Sequence, residues 1–241
     1  MHRITAIVAL TAAPSLALAG GELGDVGLII DNGQLITAIG DDDANTFEDF
    51  GFRVFGAELQ DNWEGTGLVG IDDPGYLILD GTQANSSTNS NIANLSVVDK
   101  TVTTSLRAWT GADFSGSTTN TMEFDYLGGT TSTPGADSNV DIFSAVYNGG
   151  AFDEHPEYFL IGDGVAGSPE SGVFLYEAFF TVTDSSGSLS TDTLFFVFAY
   201  NASDADFDAA FEYAEDVLVP APGALAILAG TGLLAARRRR A

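Results

Sequence analysis

Two stretches, GVFLYEAFFTVT from Gly172 and LFFVFAY from Leu194, place apolar residues at every second position. A period of two belongs to the β-strand, whose successive side chains point to opposite faces. In the first stretch Phe174, Tyr176, Ala178, Phe180 and Val182 make one unbroken apolar face. The second is apolar on both faces and predicts a central strand covered on both sides. Met122, Phe124 and Tyr126 alternate with Thr121, Glu123 and Asp125 in the same way. About ten such runs, spaced by Gly, Asn, Asp and Ser, predict a mainly β chain folded as a β-sandwich of jelly-roll or immunoglobulin-like type. Asn32-Gly33 predicts a type I′ hairpin turn. Asp73-Pro74-Gly75 predicts a type II turn, with proline second and glycine third. The tract TQANSSTNSNIAN is a polar loop, and near 82–94 the domain could divide into two lobes.

One segment breaks the alternation. In SDADFDAAFEYAEDVL, Phe207, Ala210, Phe211, Ala214 and Leu218 follow helical spacing and predict one C-terminal amphipathic helix. Ser203 or Asp204 can cap it, and Asp206 and Asp208 suit the positive end of its dipole.

The two ends carry a different pattern from the body. Arg3 precedes the apolar run ITAIVALTAAPSLALA, and Ala17-Leu18-Ala19 fits an A-x-A cleavage site. Residues 1–19 therefore read as a secretory signal peptide, and export is expected. At the other end, residues 224–236 are apolar or small except Thr231, and Arg237, Arg238, Arg239 and Arg240 follow. Thirteen helical residues span about 20 Å, short of a hydrocarbon core of about 30 Å. Val219 to Gly223 and snorkelling arginines extend this short hydrophobic helix to a marginal span. The arginines would stay on the cytoplasmic side.

Val219-Pro220-Ala221-Pro222-Gly223, the apolar run and the arginine cluster together resemble the PEP-CTERM sorting signal of bacterial surface proteins. Ala221 stands where the name-giving motif has Glu, as in planctomycete-type tails. The resemblance implies an exosortase-type membrane transpeptidase as processing partner and a destination in the cell envelope, at the cell surface or in the extracellular matrix. Before processing, residues 219–241 would hold the chain at the membrane. In the body, GFRVFGAEL, DDPGY, LRAWTG, HPEYFLIGDG, GVFLYEAFF and LFFVFAY resemble a recurrent extracellular domain of such proteins. No activity comes with that likeness.

Residues 20–218 are long enough to bury a core without covalent staples. The chain has no cysteine, which excludes disulfides, thiol catalysis and thiolate metal sites. Arg53, Lys100 and Arg107 are the body's only Lys or Arg, against 34 acidic residues. Such a field repels nucleic acid and draws in cations.

His155 is the only histidine outside the signal peptide, so no two-histidine metal motif exists within the chain. It is expected to be a turn histidine beside Pro156. No G-x-S-x-G elbow is present, and among 34 acids a pair at glycosidase spacing arises by chance. Calcium is the better candidate ligand. Asp41, Asp43, Asn45 and Asp49 stand at relative positions 1, 3, 5 and 9 of a calcium loop, although Thr46 and Phe52 replace its glycine and its bidentate glutamate.

Two functions fit these residues. One is a noncatalytic exported surface or matrix protein in contact with envelope components or extracellular polysaccharide. The other is a carbohydrate-binding module or weak hydrolase on the same sandwich, with Trp63 and Trp109 as candidate contact aromatics. The acid excess generates a prediction of its own. Mutual repulsion of the carboxylates weakens the fold at low ionic strength, and salt screens it. The melting temperature of residues 20–218 should rise with added sodium chloride; a flat or falling curve contradicts this.

Overall fold

The computed structural model describes residues 24–41, 46–78, 89–90, 92–150, 152–163 and 168–219, and the structural statements here concern those. The chain is mainly β. It opens with β1 (Asp25–Asp31) and β2 (Gln34–Asp41), paired from Asp25↔Gly40 to Asp31↔Gln34. Asn32 and Gly33 form the two-residue loop, with φ of 49° and 79°, as a type I′ turn requires. Short strands follow: β3 (Thr46–Glu48), β4 (Val54–Glu58), β5 (Val69–Ile71), β6 (Tyr76–Ile78) and β7 (Asn89–Ser90). Next come β8 (Ser96–Val102), β9 (Arg107–Ala108), β10 (Gly116–Ser117), β11 (Thr121–Tyr126) and β12 (Gly129–Ser132). β13 (Val140–Tyr147), β14 (Phe152–Glu154) and β15 (Glu157–Ile161) precede the long β16 (Gly172–Asp184). β17 (Gly187–Ser190), β18 (Leu194–Tyr200) and the helix α1 (Asp204–Tyr213) complete the order.

These strands form three sheets. The first runs β14-β6-β1-β2-β3, with β7 also on β1. The second runs β10-β9-β16-β18-β4, extended by β17 and β8 on β16 and by β13 on β8. The third runs β12-β11-β15-β5. Each sheet takes strands from both sides of the tract near 82–94.

All three sheets turn an apolar face toward one core, which holds Val26 and Leu28 of the first, Phe180 and Phe196 of the second, and Phe124 and Tyr158 of the third. The far face of the second sheet carries a separate cluster. There Val173, Leu175, Phe195, Val197 and Ala199 meet Phe207, Ala210, Phe211 and Ala214 of the C-terminal helix. This explains the doubly apolar LFFVFAY: Leu194, Phe196 and Phe198 enter the core, while the residues between them lie under the helix. Each large side chain buried this way contributes about 1.5–3 kcal/mol of transfer free energy.

Ser203 caps α1: its hydroxyl accepts from the Asp206 amide at 3.2 Å and donates to the Asp206 carboxylate at 2.7 Å. A wide π-helical turn from Ala214 to Leu218 continues the helix. The Asp73–Pro74 turn differs from the type II expectation. Its peptide is cis, and Gly75 does not take a positive φ. The glycine is needed for a close approach described below, which a local turn signal does not reveal.

Lys100 is wholly buried in the main core, on the face of β8 that Val98 and Val102 share. Among the described residues, no carboxylate pairs with it. Its Nζ donates to the Tyr76 hydroxyl at 2.8 Å and lies 3.1 Å from the Tyr176 hydroxyl. It also sits 3.5 Å from the Phe196 ring centroid. A desolvated cation–π contact gives about 2 kcal/mol, but stripping an ammonium of water costs several kcal/mol. Desolvation wins, and burial pushes the Lys100 pKa well below its ordinary value. A neutral amine also fits the hydrogen count, since its lone pair can accept from Tyr176 while its N–H serves Tyr76.

Because the folded pKa lies below the unfolded value of 10.5, the unfolded chain takes up the proton first as pH falls. The contribution of Lys100 to stability therefore falls as pH drops below 10.5 and grows as pH rises toward it. Lys100→Met removes this dependence. Between about pH 7 and about pH 9.5, urea unfolding should show wild type gaining on the variant by up to about 1.4 kcal/mol per pH unit. A constant difference contradicts a neutral buried amine.

Candidate functional site

Strand register builds the most concentrated group of ligating side chains. β1 runs parallel to β6 with Val26 beside Tyr76, so Asp25 lies beside Gly75. β14 runs antiparallel to β6 on its other side with Glu154 beside Tyr76, so His155 also lies beside Gly75. Asp25 and His155 therefore flank a position that has no side chain. A Cβ at residue 75 would lie 2.6 Å from both Asp25 Oδ1 and His155 Cε1. Glycine is what lets the two side chains meet over the strand.

His155 is ringed by acceptors. Its Nδ1 lies 3.1 Å from the Asp72 carbonyl oxygen and 3.4 Å from Asp73 Oδ1. Nε2 lies 3.0 Å from Asp153 Oδ1 and 3.8 Å from Asp25 Oδ2. The Asp25 side chain is only 8% exposed, and its Oδ1 accepts from the Gly75 amide at 2.8 Å. The Asp73 carboxylate, opposed by burial and joined by Asp25 and Asp153, pushes the His155 pKa up to about 10. Burial pushes Asp25 up to about 6 despite the histidine. The acids thus hold a proton on the imidazole. The same field would attract a divalent cation in exchange for that proton.

The expected calcium ligands fall elsewhere. Asp41 ends β2 opposite Thr46, and Asp49 follows β3 with a φ of 45°. Asp43 and Asn45 lie outside the described residues. The ladder from Asp41↔Thr46 to Ile39↔Glu48 carries Asp49 about 10 Å along the hairpin from Asp41. The signal residues Ala17 and Ala19, the motif residues Pro220 to Gly223, the short hydrophobic helix and Arg237 to Arg240 also lie outside the described residues; Val219 is the last within them.

Both tryptophans pack against the body. Trp63 is half-buried against the main core. Trp109, also half-buried, packs on Phe114 and Tyr213 with ring centroids 5.1 and 5.4 Å apart.

His155 does sit in a connection beside Pro156, as the sequence suggests, but two of its three carboxylate neighbours, Asp25 and Asp73, come from segments remote in sequence. The available signals were DDPGY and DEHP, two acid-rich turns. Nothing local says that they meet. In comparisons with known proteins, no family model and no curated protein matches the chain.

Gly75→Ala tests the close approach. The added methyl group should force Asp25 and His155 apart and destabilise the fold by about 1–3 kcal/mol. Denaturant unfolding measures it, and stability equal to wild type contradicts the geometry.

Proposed function

We propose that this chain is a noncatalytic exported protein of the cell surface or extracellular matrix, delivered by a PEP-CTERM-like tail. The observation that carries this reading is the position of the helix: its apolar face closes the second sheet, and its last turn ends at Leu218, next to Val219 of the tail motif. A processing enzyme would thus act beyond a finished fold, with the sandwich of jelly-roll or immunoglobulin-like type intact. That finer fold type has to accommodate two parallel pairings, β1 with β6 and β18 with β4.

The body's surface supports the same reading. Arg53 pairs with Asp192 at 3.5 Å, and Arg107 pairs with Glu177 at 2.9 Å and Asp137 at 3.2 Å. With Lys100 buried, each of the body's Lys and Arg residues is engaged within the fold, and what faces water is strongly acidic. Such a surface stays hydrated and repels its own copies, which suits a coat or matrix component in saline surroundings. Trp63 and Trp109 pack inward, so they support a stacking platform for sugars less than this reading. Envelope polysaccharide remains a partner by proximity, with an exosortase-type transpeptidase acting on the tail.

Replacing Arg237 to Arg240 with serine removes the cytoplasmic charge clamp. In cells that process the wild type, the intact mass of the recovered wild-type protein should lack residues 1–19 and the apolar tail. The variant should keep its tail. Identical processing of both chains contradicts this function.

A further inference from the structure

We propose that Asp25, Asp73 and His155 bind one divalent first-row transition-metal ion, zinc being the reference case, at the end of the first sheet where β1, the 72–75 turn and the β14–β15 connection meet. One ligand atom from each of the three residues lies within 4.8 Å of the other two. Four-coordinate zinc with nitrogen and oxygen ligands at about 2.0–2.2 Å holds its ligand atoms about 3.4 Å apart. His155 Nε2 and Asp25 Oδ2, 3.8 Å apart, are close to that separation.

A second observation points to a cation. Asp25 Oδ1 accepts from the Gly75 amide, and Oδ2 lies 3.8 Å from His155 Nε2. This carboxylate is more than nine-tenths buried and aimed into the group. A buried carboxylate needs a positive partner, which a metal ion supplies as well as an imidazolium.

The histidine is set for the task. Nδ1–H can donate to the Asp72 carbonyl at 3.1 Å, with Asp73 Oδ1 3.4 Å away on the same side, which fixes the ring and leaves Nε2 between Asp153 and Asp25. A backbone carbonyl on the far nitrogen is the usual second partner of a metal-bound imidazole. Asp153, with Oδ1 3.0 Å from Nε2, stands at the rim as a further oxygen ligand. An imidazole among carboxylates favours zinc, nickel, cobalt or manganese over calcium, which takes six to eight oxygens. The site differs from the Asp41 loop in residues and in metal class, and it stands whether or not the tail is processed. In a chain without cysteine, it would tie three segments together as a disulfide otherwise might.

Calorimetric titration of the chelator-treated full chain with zinc chloride, and separately with calcium chloride, tests this. One zinc ion should bind per chain, with calcium at least about a hundredfold weaker. Asp25→Asn, which keeps an oxygen for the Gly75 amide, and His155→Gln should each weaken zinc binding at least about a hundredfold. Circular dichroism of both variants checks that they remain folded. Asp41→Asn with Asp43→Asn should leave zinc binding unchanged. X-ray absorption of the zinc form should show one nitrogen ligand of imidazole type. Absence of zinc binding, binding that survives both site substitutions in folded protein, or equal affinity for calcium overturns the proposal.

Discussion

A lysine with no carboxylate partner sits at the centre of this protein, and the surrounding hydrogen bonds must follow from it. Tyr158 has a single hydroxyl proton and donates it to the Pro74 carbonyl at 2.8 Å. Tyr76 must then donate to Tyr158, 2.8 Å away, and its oxygen is left to accept from Lys100. One directed chain therefore runs from the Lys100 amine through two tyrosines to the 72–75 turn. The next amide along that turn, Gly75, donates to Asp25. The core amine and the carboxylate–histidine group thus rest on the same four residues. An unsatisfied buried polar group costs about 1–3 kcal/mol, so loss of one member would expose its neighbours to that cost.

This arrangement also accounts for the aromatic content of the core. Tyr176 stacks on Phe196 at 5.0 Å with planes 6° apart, and Tyr76 meets Phe180 edge-on at 4.9 Å. The rings fill space and exclude water, while their hydroxyl groups provide the few polar contacts a neutral amine needs. Outside, the balance is reversed. Carboxylates dominate the surface, so attraction to cations is its general property, and the carboxylates around His155 beside Gly75 concentrate that field.

Much of the architecture was legible because strand and helix periods are local. The alternation in Gly172–Asp184, the doubly apolar Leu194–Tyr200, the Asn32-Gly33 turn and the helical spacing from Phe207 to Ala214 each needed only neighbouring residues. The site was not legible, because Asp25, Asp73 and His155 meet through the register of three strands far apart in sequence. Gly75 shows the difference well. A glycine after Asp-Pro suggests a left-handed turn position, whereas here it clears space between two side chains on adjacent strands. Lys100 had a usable signal, since period two places it on the face of Val98 and Val102. Its charge argued for solvent, and only the tyrosines from β6, β15 and β16 make the burial tolerable.

The protonation state of Lys100 decides whether this chain of bonds exists as described. Lys100 is the only lysine in the sequence, so protein made with isotope-labelled lysine gives one side-chain nitrogen signal. Its resonance at neutral pH should be that of a neutral amine. An ammonium resonance in the folded protein at neutral pH would contradict the account, because it would place an uncompensated charge in the core.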